Sequence, residues 1–192
     1  MEVTLIRHFM TSGNLRGAYI GSTDESLLAN QVLQKDYKAV DRVIVSPLKR
    51  CVETAEIIYP RQKQIICKDL RECHFGVFEG KNYEELKGCP LYQKWIDSAG
   101  AIPFPEGERT EDFKLRCIEG FKWSISWLLE QKCEAAAIVV HGGTIMAIME
   151  EFSKQKKEFY HWQVKNGEGY QFKIDEKKWR QGLWEIKQIQ KL

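Results

Sequence analysis

No run of 18 apolar residues occurs anywhere in the sequence, so nothing in it reads as a membrane-spanning helix. There is no C-x-x-C pair either. The six cysteines, Cys51, Cys67, Cys73, Cys89, Cys117 and Cys133, are widely scattered, which is unlike a small disulfide scaffold and offers no zinc-ligand spacing. They read as reduced, mostly buried thiols of a cytoplasmic protein. Net charge is nearly absent: 29 Lys and Arg against 27 Asp and Glu leave +2, which removes the general electrostatic case for a nucleic-acid partner. Repeats and low-complexity tracts are missing. The opening Met1–His8 stretch is not a secretory leader, because its apolar run is short and no basic segment precedes it.

What is present is ordinary globular composition, 43% hydrophobic and 29% charged over 192 residues, a length that suits a single domain spanning 1–192. Short apolar runs alternate with helical patterns. Val3–Ile6, Val43–Val45, Gln64–Cys67 and Ala135–Val140 read as strands. Leu27–Tyr37 is expected to be a short helix. A second helix is expected to open with Ser46 as its cap and Pro47 at its first position, and a third to follow Gly142-Gly143. Phe113, Cys117, Phe121, Ile125 and Leu128 recur at helical spacing, with Trp123 and Trp127 widening the apolar face. Gly169–Ile174 and Leu183–Ile189 suggest two late strands. Strand alternating with helix argues for an α/β fold with a mostly parallel central sheet, flanking helices and a mostly helical lid insertion at about 82–131.

Three of the expected strands end in residues suited to an anion: Arg7-His8, Ser46 with Arg50 one turn on, and His141-Gly142-Gly143. Ligands of open parallel sheets bind outside the carboxyl ends of the strands, so Arg7, His8, Arg50 and His141 are expected to converge on one crevice. Arginine offers a fork of donors to phosphate, and the Gly142-Gly143 amides open a helix, where anions bind. A neutral imidazole can carry a phosphoryl group covalently. No cage of carboxylates accompanies these residues, so the chemistry is expected to need no metal and no other cofactor.

The same residues form ordered motifs. Leu5-Ile6-Arg7-His8-Phe9-Met10-Thr11 with Asn14, Ser46-Pro47-Leu48-Lys49-Arg50 with Thr54-Ala55, Leu70-Arg71-Glu72-Cys73-His74-Phe75-Gly76 with Glu79-Gly80, and Ile138-Val139-Val140-His141-Gly142-Gly143 follow one another along the chain. Together they resemble the histidine phosphatase superfamily, with its phosphoglycerate mutase-like fold, and Gln163–Gly167 is similar to that family's closing segment. The resemblance implies that His8 is the nucleophile, that Arg7, Arg50 and His141 grip the phosphoryl oxygens with help from the Gly142 amide, and that Glu72 is the acid and then the base. Asn14 and Thr11 would be positioning or phosphate contacts.

Departures from the family pattern are Phe9 for a glycine, Met10 where an acid is common, Ala18 for an arginine, and Arg109 for the serine of P-x-G-E-S. Arg109 is a candidate contact to a second anionic group. The implied activity is a phosphomonoesterase on small phosphorylated metabolites. Gly17–Asp24 is similar to the α-ribazole phosphatase branch, which would make α-ribazole 5′-phosphate the substrate. A phosphoglycerate mutase-type transferase is less well matched, since only 69 positions separate Glu72 from His141. A non-catalytic phosphate binder would have no use for Glu72. An α/β-hydrolase is excluded because G-x-S-x-G is missing. A homodimer is compatible with the sequence, which gives no sign of a membrane partner.

Overall fold

The computed structural model describes residues 1–31, 33, 35–98, 100 and 102–192. Six strands form one sheet: β1 Glu2–Arg7, β2 Arg42–Val45, β3 Gln64–Ile66, β4 Ala135–Val140, β5 Gly169–Ile174 and β6 Ile186–Lys191. Their spatial order is β3-β2-β4-β1-β5-β6. The first four are mutually parallel, and β5 and β6 add an antiparallel edge. The helices are α1 Ser12–Leu15, α2 Lys49–Ile58, α3 Tyr83–Leu86, α4 Pro90–Asp97, α5 Thr110–Glu130, α6 Gly142–Phe152 and α7 Glu176–Arg180.

β1 and β4 are buried along almost their whole length, as strands covered on both faces must be. Their side chains alternate between two cores. Leu5, Ile138 and Val140 face α5 and α6, meeting Phe121, Ile125, Leu128, Ile145 and Ile148. Ile6, Val139 and Ala137 face the other way, onto Cys51 and Ala55 of α2. A third cluster built on Phe78, Leu86, Tyr92, Phe104 and Phe113 lies apart from both. The expected lid span 82–131 therefore divides. α3, α4 and Phe104 belong to this third cluster, whereas most of α5 belongs to the main core. Ala99 and Ala101 of that span lie outside the described residues.

Three local expectations are corrected. Around Leu27–Tyr37 the described residues form an isolated bridge at Leu27, a turn and irregular chain, not a helix; Val32 and Gln34 lie outside the description. α2 begins at Lys49 with Leu48 as cap and no capping side chain, because the Ser46 hydroxyl is bonded to His141, 95 residues away. Trp123 is 46% exposed and stacks on Trp127 at the surface end of the helix's apolar face. Among the described residues, no helix is long and apolar enough to cross a membrane.

Candidate active site

Sheet order places the chemistry. Arg7 closes β1 opposite Val140 of the parallel neighbour β4, so His8 and His141 leave the sheet side by side with ring centroids 5.2 Å apart. β2, on the far side of β4, delivers Ser46 and then Arg50 to the same end.

His8 is buried, and its Nδ1 lies 2.7 Å from the carbonyl oxygen of Phe9. A carbonyl only accepts, so Nδ1 carries the proton and Nε2 keeps a lone pair. Burial, followed by the charge of Arg50, pushes His8 well below the ordinary imidazole value, the Phe9 bond opposing this. The ring is neutral near pH 7. The chain around it is fixed from two sides. Asn166 Nδ2 donates to the His8 carbonyl at 2.9 Å, to the Phe9 carbonyl at 3.3 Å and to Asn14 Oδ1 at 3.0 Å. The Phe9 amide donates to Thr54 Oγ1, whose own hydroxyl donates to the Arg50 carbonyl.

Arg50 is wholly buried. Its Nε donates to His141 Nδ1 at 3.3 Å, and its remaining nitrogens donate to the carbonyls of Thr23, Ile20 and Gly21. His141 is therefore protonated on Nε2, which donates to Ser46 Oγ at 2.6 Å. Burial first, then Arg50, holds His141 well below the imidazole range. Arg7 gives Nη1 to the Val164 carbonyl at 2.7 Å, while its Nε is buried with no hydrogen-bond partner among the described residues. A buried unpaired N–H is expensive, and this one lies beside the cavity that Arg7 lines.

Glu72 approaches from the other wall. Its carboxylate accepts from the Cys73 amide at 3.0 Å and from the Gly143 amide, at the start of α6, at 3.1 Å. Burial raises its pKa above the usual carboxylate value, although the two amide bonds and then Arg50 and Arg7 pull it down. A Cβ at 143 would stand 2.5 Å from Glu72 Oε1, so any side chain there would displace the carboxylate. The segment carrying Glu72 is itself gripped. Arg116 donates to the carbonyls of Asp69 and Arg71 at 2.7 and 2.9 Å and to Glu108 at 2.9 and 2.7 Å. Glu108 in turn accepts from the His74 amide.

Several of these groups border a cavity of about 640 Å3. Arg7, His8, Asn14, Glu72, Gly142 and Gly143 line it. Arg50 and His141 do not; both are fully buried, bonded to one another, with His141 beside the His8 ring. Arg109 is away from the wall altogether. Its side chain is 65% exposed and lies 3.9 Å from Glu111 and from Asp112, so the structure does not bring it to the other site residues. Among the described residues, the wall's other cation is Lys114, bonded to Glu150 at 2.5 Å. Phe9 does not crowd the cavity, since its ring packs toward Tyr37 and Gly167 instead. Ala18 is on the wall.

Sequence reasoning assigned no part to Asn166, Thr54, Glu108, Arg116 or Lys114. Asn166, Thr54 and Glu108 stand in motif segments, which was the available signal; Arg116 and Lys114 stand in none. Asn14 has its Oδ1 engaged by Asn166 and by the Thr11 amide in a capping box, so its amide nitrogen is the group it can offer the cavity.

The chain is also similar to known proteins. The family model described as histidine phosphatase superfamily (branch 1) matches residues 3–187. The chain belongs to that superfamily and is a phosphatase. It is 27% identical over 165 residues to a broad-specificity phosphatase of Saccharomyces cerevisiae, covering 78% of this chain and 69% of the relative. It is 26% identical over 180 residues to the adenosylcobalamin/α-ribazole phosphatase of Salmonella typhimurium, covering 87% of each. The solved α-ribazole phosphatase of Shigella flexneri superposes with a TM-score of 0.75 at 25% identity over 92% of both chains.

Proposed function

We propose that this phosphatase hydrolyses small phosphomonoesters in two steps through a phosphohistidine on His8, with no metal ion. His8 Nε2 attacks phosphorus and the bond from phosphorus to the ester oxygen breaks. Glu72, protonated, gives its proton to the departing alcohol oxygen. Water then attacks the phosphoryl group, Glu72 takes a proton from it, the P–N bond breaks, and inorganic phosphate leaves with His8 restored. Arg7 and the Gly142 amide face the phosphoryl oxygens as charge builds on them, while Arg50 contributes positive charge from beneath and holds the neutral His141 ring beside His8.

The observation that carries this reading is a neutral imidazole with its lone pair on Nε2 bordering the same cavity as a carboxyl whose pKa is raised by burial. It also favours catalysis over mere phosphate binding, for which an acid on the wall would be a liability. The test is phosphate release from a panel of metabolite monoesters after dialysis against EDTA, with His8→Ala as control. Release should survive EDTA and vanish in the variant. Loss on chelation with recovery on adding magnesium or zinc would reject the metal-free route.

A narrower reading, α-ribazole 5′-phosphate as the physiological substrate, is supported by the likeness to two α-ribazole phosphatases over roughly nine-tenths of the chain. It requires faster hydrolysis of that ester than of common nucleotides. The six cysteines are all free, which supports a reducing, cytoplasmic setting.

A further inference from the structure

Phosphate is common to all monoesters, so a selective phosphatase must read what the phosphate is attached to. More than a third of the residues lining the cavity, nine of 24, are Phe, Tyr or Trp, against 11% of the whole chain. They come from separate stretches: Tyr19 after α1, Phe75 after Glu72, Trp95 in α4, Phe104 beyond it, and Phe159 and Tyr160 after α6. Trp95 stacks on Phe104 with centroids 5.0 Å apart and planes 27° from parallel, and Phe75 meets Phe104 edge-on at 5.0 Å. Tyr160 and Tyr83 line the same cavity while remaining 60% and 61% exposed, so these rings are not simply core that happens to touch a void.

The charges on the wall are equally informative. Among the described residues, the lining cations are Arg7, which borders the phosphoryl end, and Lys114. Lys114 is held by Glu150 at 2.5 Å and lies over the Phe159 ring, 4.6 Å from its centroid. Glu72 adds a carboxyl to the same space. A substrate with a second carboxylate or phosphate would set that anion against ring faces, which are the negative side of the aromatic quadrupole, without an unclaimed cation to meet it.

Building on the phosphomonoesterase reading above, we infer that the cavity beyond His8 is a binding subsite for a flat, uncharged ring system on the alcohol side of the substrate, and that it disfavours small monoesters bearing a second anion. The aromatic wall stacks on the ring, and Arg7 holds the phosphoryl end.

The test separates binding from turnover by using phosphonates, which cannot be hydrolysed. Calorimetric titration compares 2-(2-naphthyl)ethylphosphonate, propylphosphonate and 2-carboxyethylphosphonate, which share one head group. The naphthyl compound should bind about thirtyfold more tightly than the propyl compound, as expected for burying and stacking one flat ring system, and the carboxyethyl compound no more tightly than the propyl one. Tyr160→Ala, at a position 60% exposed, and Trp95→Leu should each cut the naphthyl-to-propyl ratio by about fivefold or more. Equal affinity for naphthyl and propyl, tightest binding by the carboxyethyl compound, or a ratio that neither variant changes would overturn the subsite. Hydrolysis of the corresponding phosphate esters is read separately. Absent turnover with intact naphthyl preference would count against the phosphohistidine reading alone, and turnover without the preference would count against the subsite alone.

Discussion

The Nδ1–H of His8 is committed to the carbonyl of Phe9 at 2.7 Å, and that carbonyl is itself held by Asn166. The arrangement fixes which ring nitrogen can react. The phosphoenzyme should therefore carry its phosphoryl group on Nε2, and phosphorus–nitrogen correlation in an NMR spectrum of protein with labelled histidine would show it. The adduct should be acid-labile and base-stable. A phosphoryl group on Nδ1 would mean that the Phe9 contact breaks before reaction. Asn166→Ala should leave the site assembled but slow phosphorylation, since two carbonyls lose the donor that aligns them.

Glu72 faces the cavity with its pKa raised mainly by burial. If it protonates the departing oxygen, its importance depends on how badly the leaving group needs a proton. Glu72→Gln should lower kcat on alkyl phosphates by about 10²- to 10⁴-fold, the range expected for general acid–base catalysis, while activated aryl esters lose far less in the first step. Equal loss on both ester types would assign Glu72 to binding.

Arg116 and Glu108 act on Glu72 only through the backbone they hold. Arg116 bonds three carbonyls of the 69–72 segment, the weakest at 3.5 Å to Glu72 itself. Its partner Glu108 has a side chain only 15% exposed. Arg116→Ala leaves that carboxylate without its partner, and breaking such a buried pair costs about 3–5 kcal/mol, readable as a lowered midpoint of denaturant unfolding. Arg116→Lys keeps a charge but loses the fork. It should fold and reproduce, in milder form, the leaving-group pattern of Glu72→Gln. A Lys variant uniformly slow on every ester would show the pair to be structural only.

The strand-end chemistry was legible because each residue sits beside a strong local pattern: Arg7-His8 after an apolar run, and His141-Gly142-Gly143 between the clearest strand and a helix. What failed was what distant partners decide. Ser46-Pro47 carries a local helix-start signal, yet the Ser46 hydroxyl is bonded to His141 and the helix starts three residues later. Arg109 was read as facing the site from its place in a motif, but the chain turns so that Lys114, one helical turn into α5, takes the wall position. The aromatic wall was invisible for the same reason. Its rings come from separate segments, and only tertiary packing brings them to one void.

Opposite shifts on His8 and Glu72 set a pH profile. His8 must be neutral, and its pKa is lowered by burial and Arg50, so the acid limb falls below the ordinary imidazole range. Glu72 must be protonated for the first step, and its pKa is raised, so activity on alkyl esters should fall with rising pH above the usual carboxylate value. The optimum should lie between these two limbs. Glu72→Gln should flatten the alkaline limb measured with an activated ester relative to the parent on alkyl ones. A parent profile rising through pH 8 would contradict the assignment.

Gly143 offers the sharpest separation of catalysis from stability. A methyl group there would lie 2.5 Å from Glu72 Oε1 and 3.1 Å from Phe113 Cζ. Phe113 is 3% exposed and packed in the third core, so it has little room to yield. The carboxylate must then swing away, breaking its bond from the Gly143 amide and leaving the orientation from which it serves the cavity. Position 143 is the second residue of α6, where alanine is no worse a helix former than glycine, so α6 does not suffer. Gly143→Ala should thus keep its thermal midpoint within a few degrees of the parent while losing about a hundredfold in kcat on alkyl phosphates, comparable to losing the acid itself. Gly142→Ala is the comparison: its Cβ would stand 3.4 Å from Arg7 Nε and Cζ, close to ordinary contact, and the loss should be much smaller. Full activity in Gly143→Ala would mean that Glu72 does not need its position against α6, and would undo the geometric case for it as the acid.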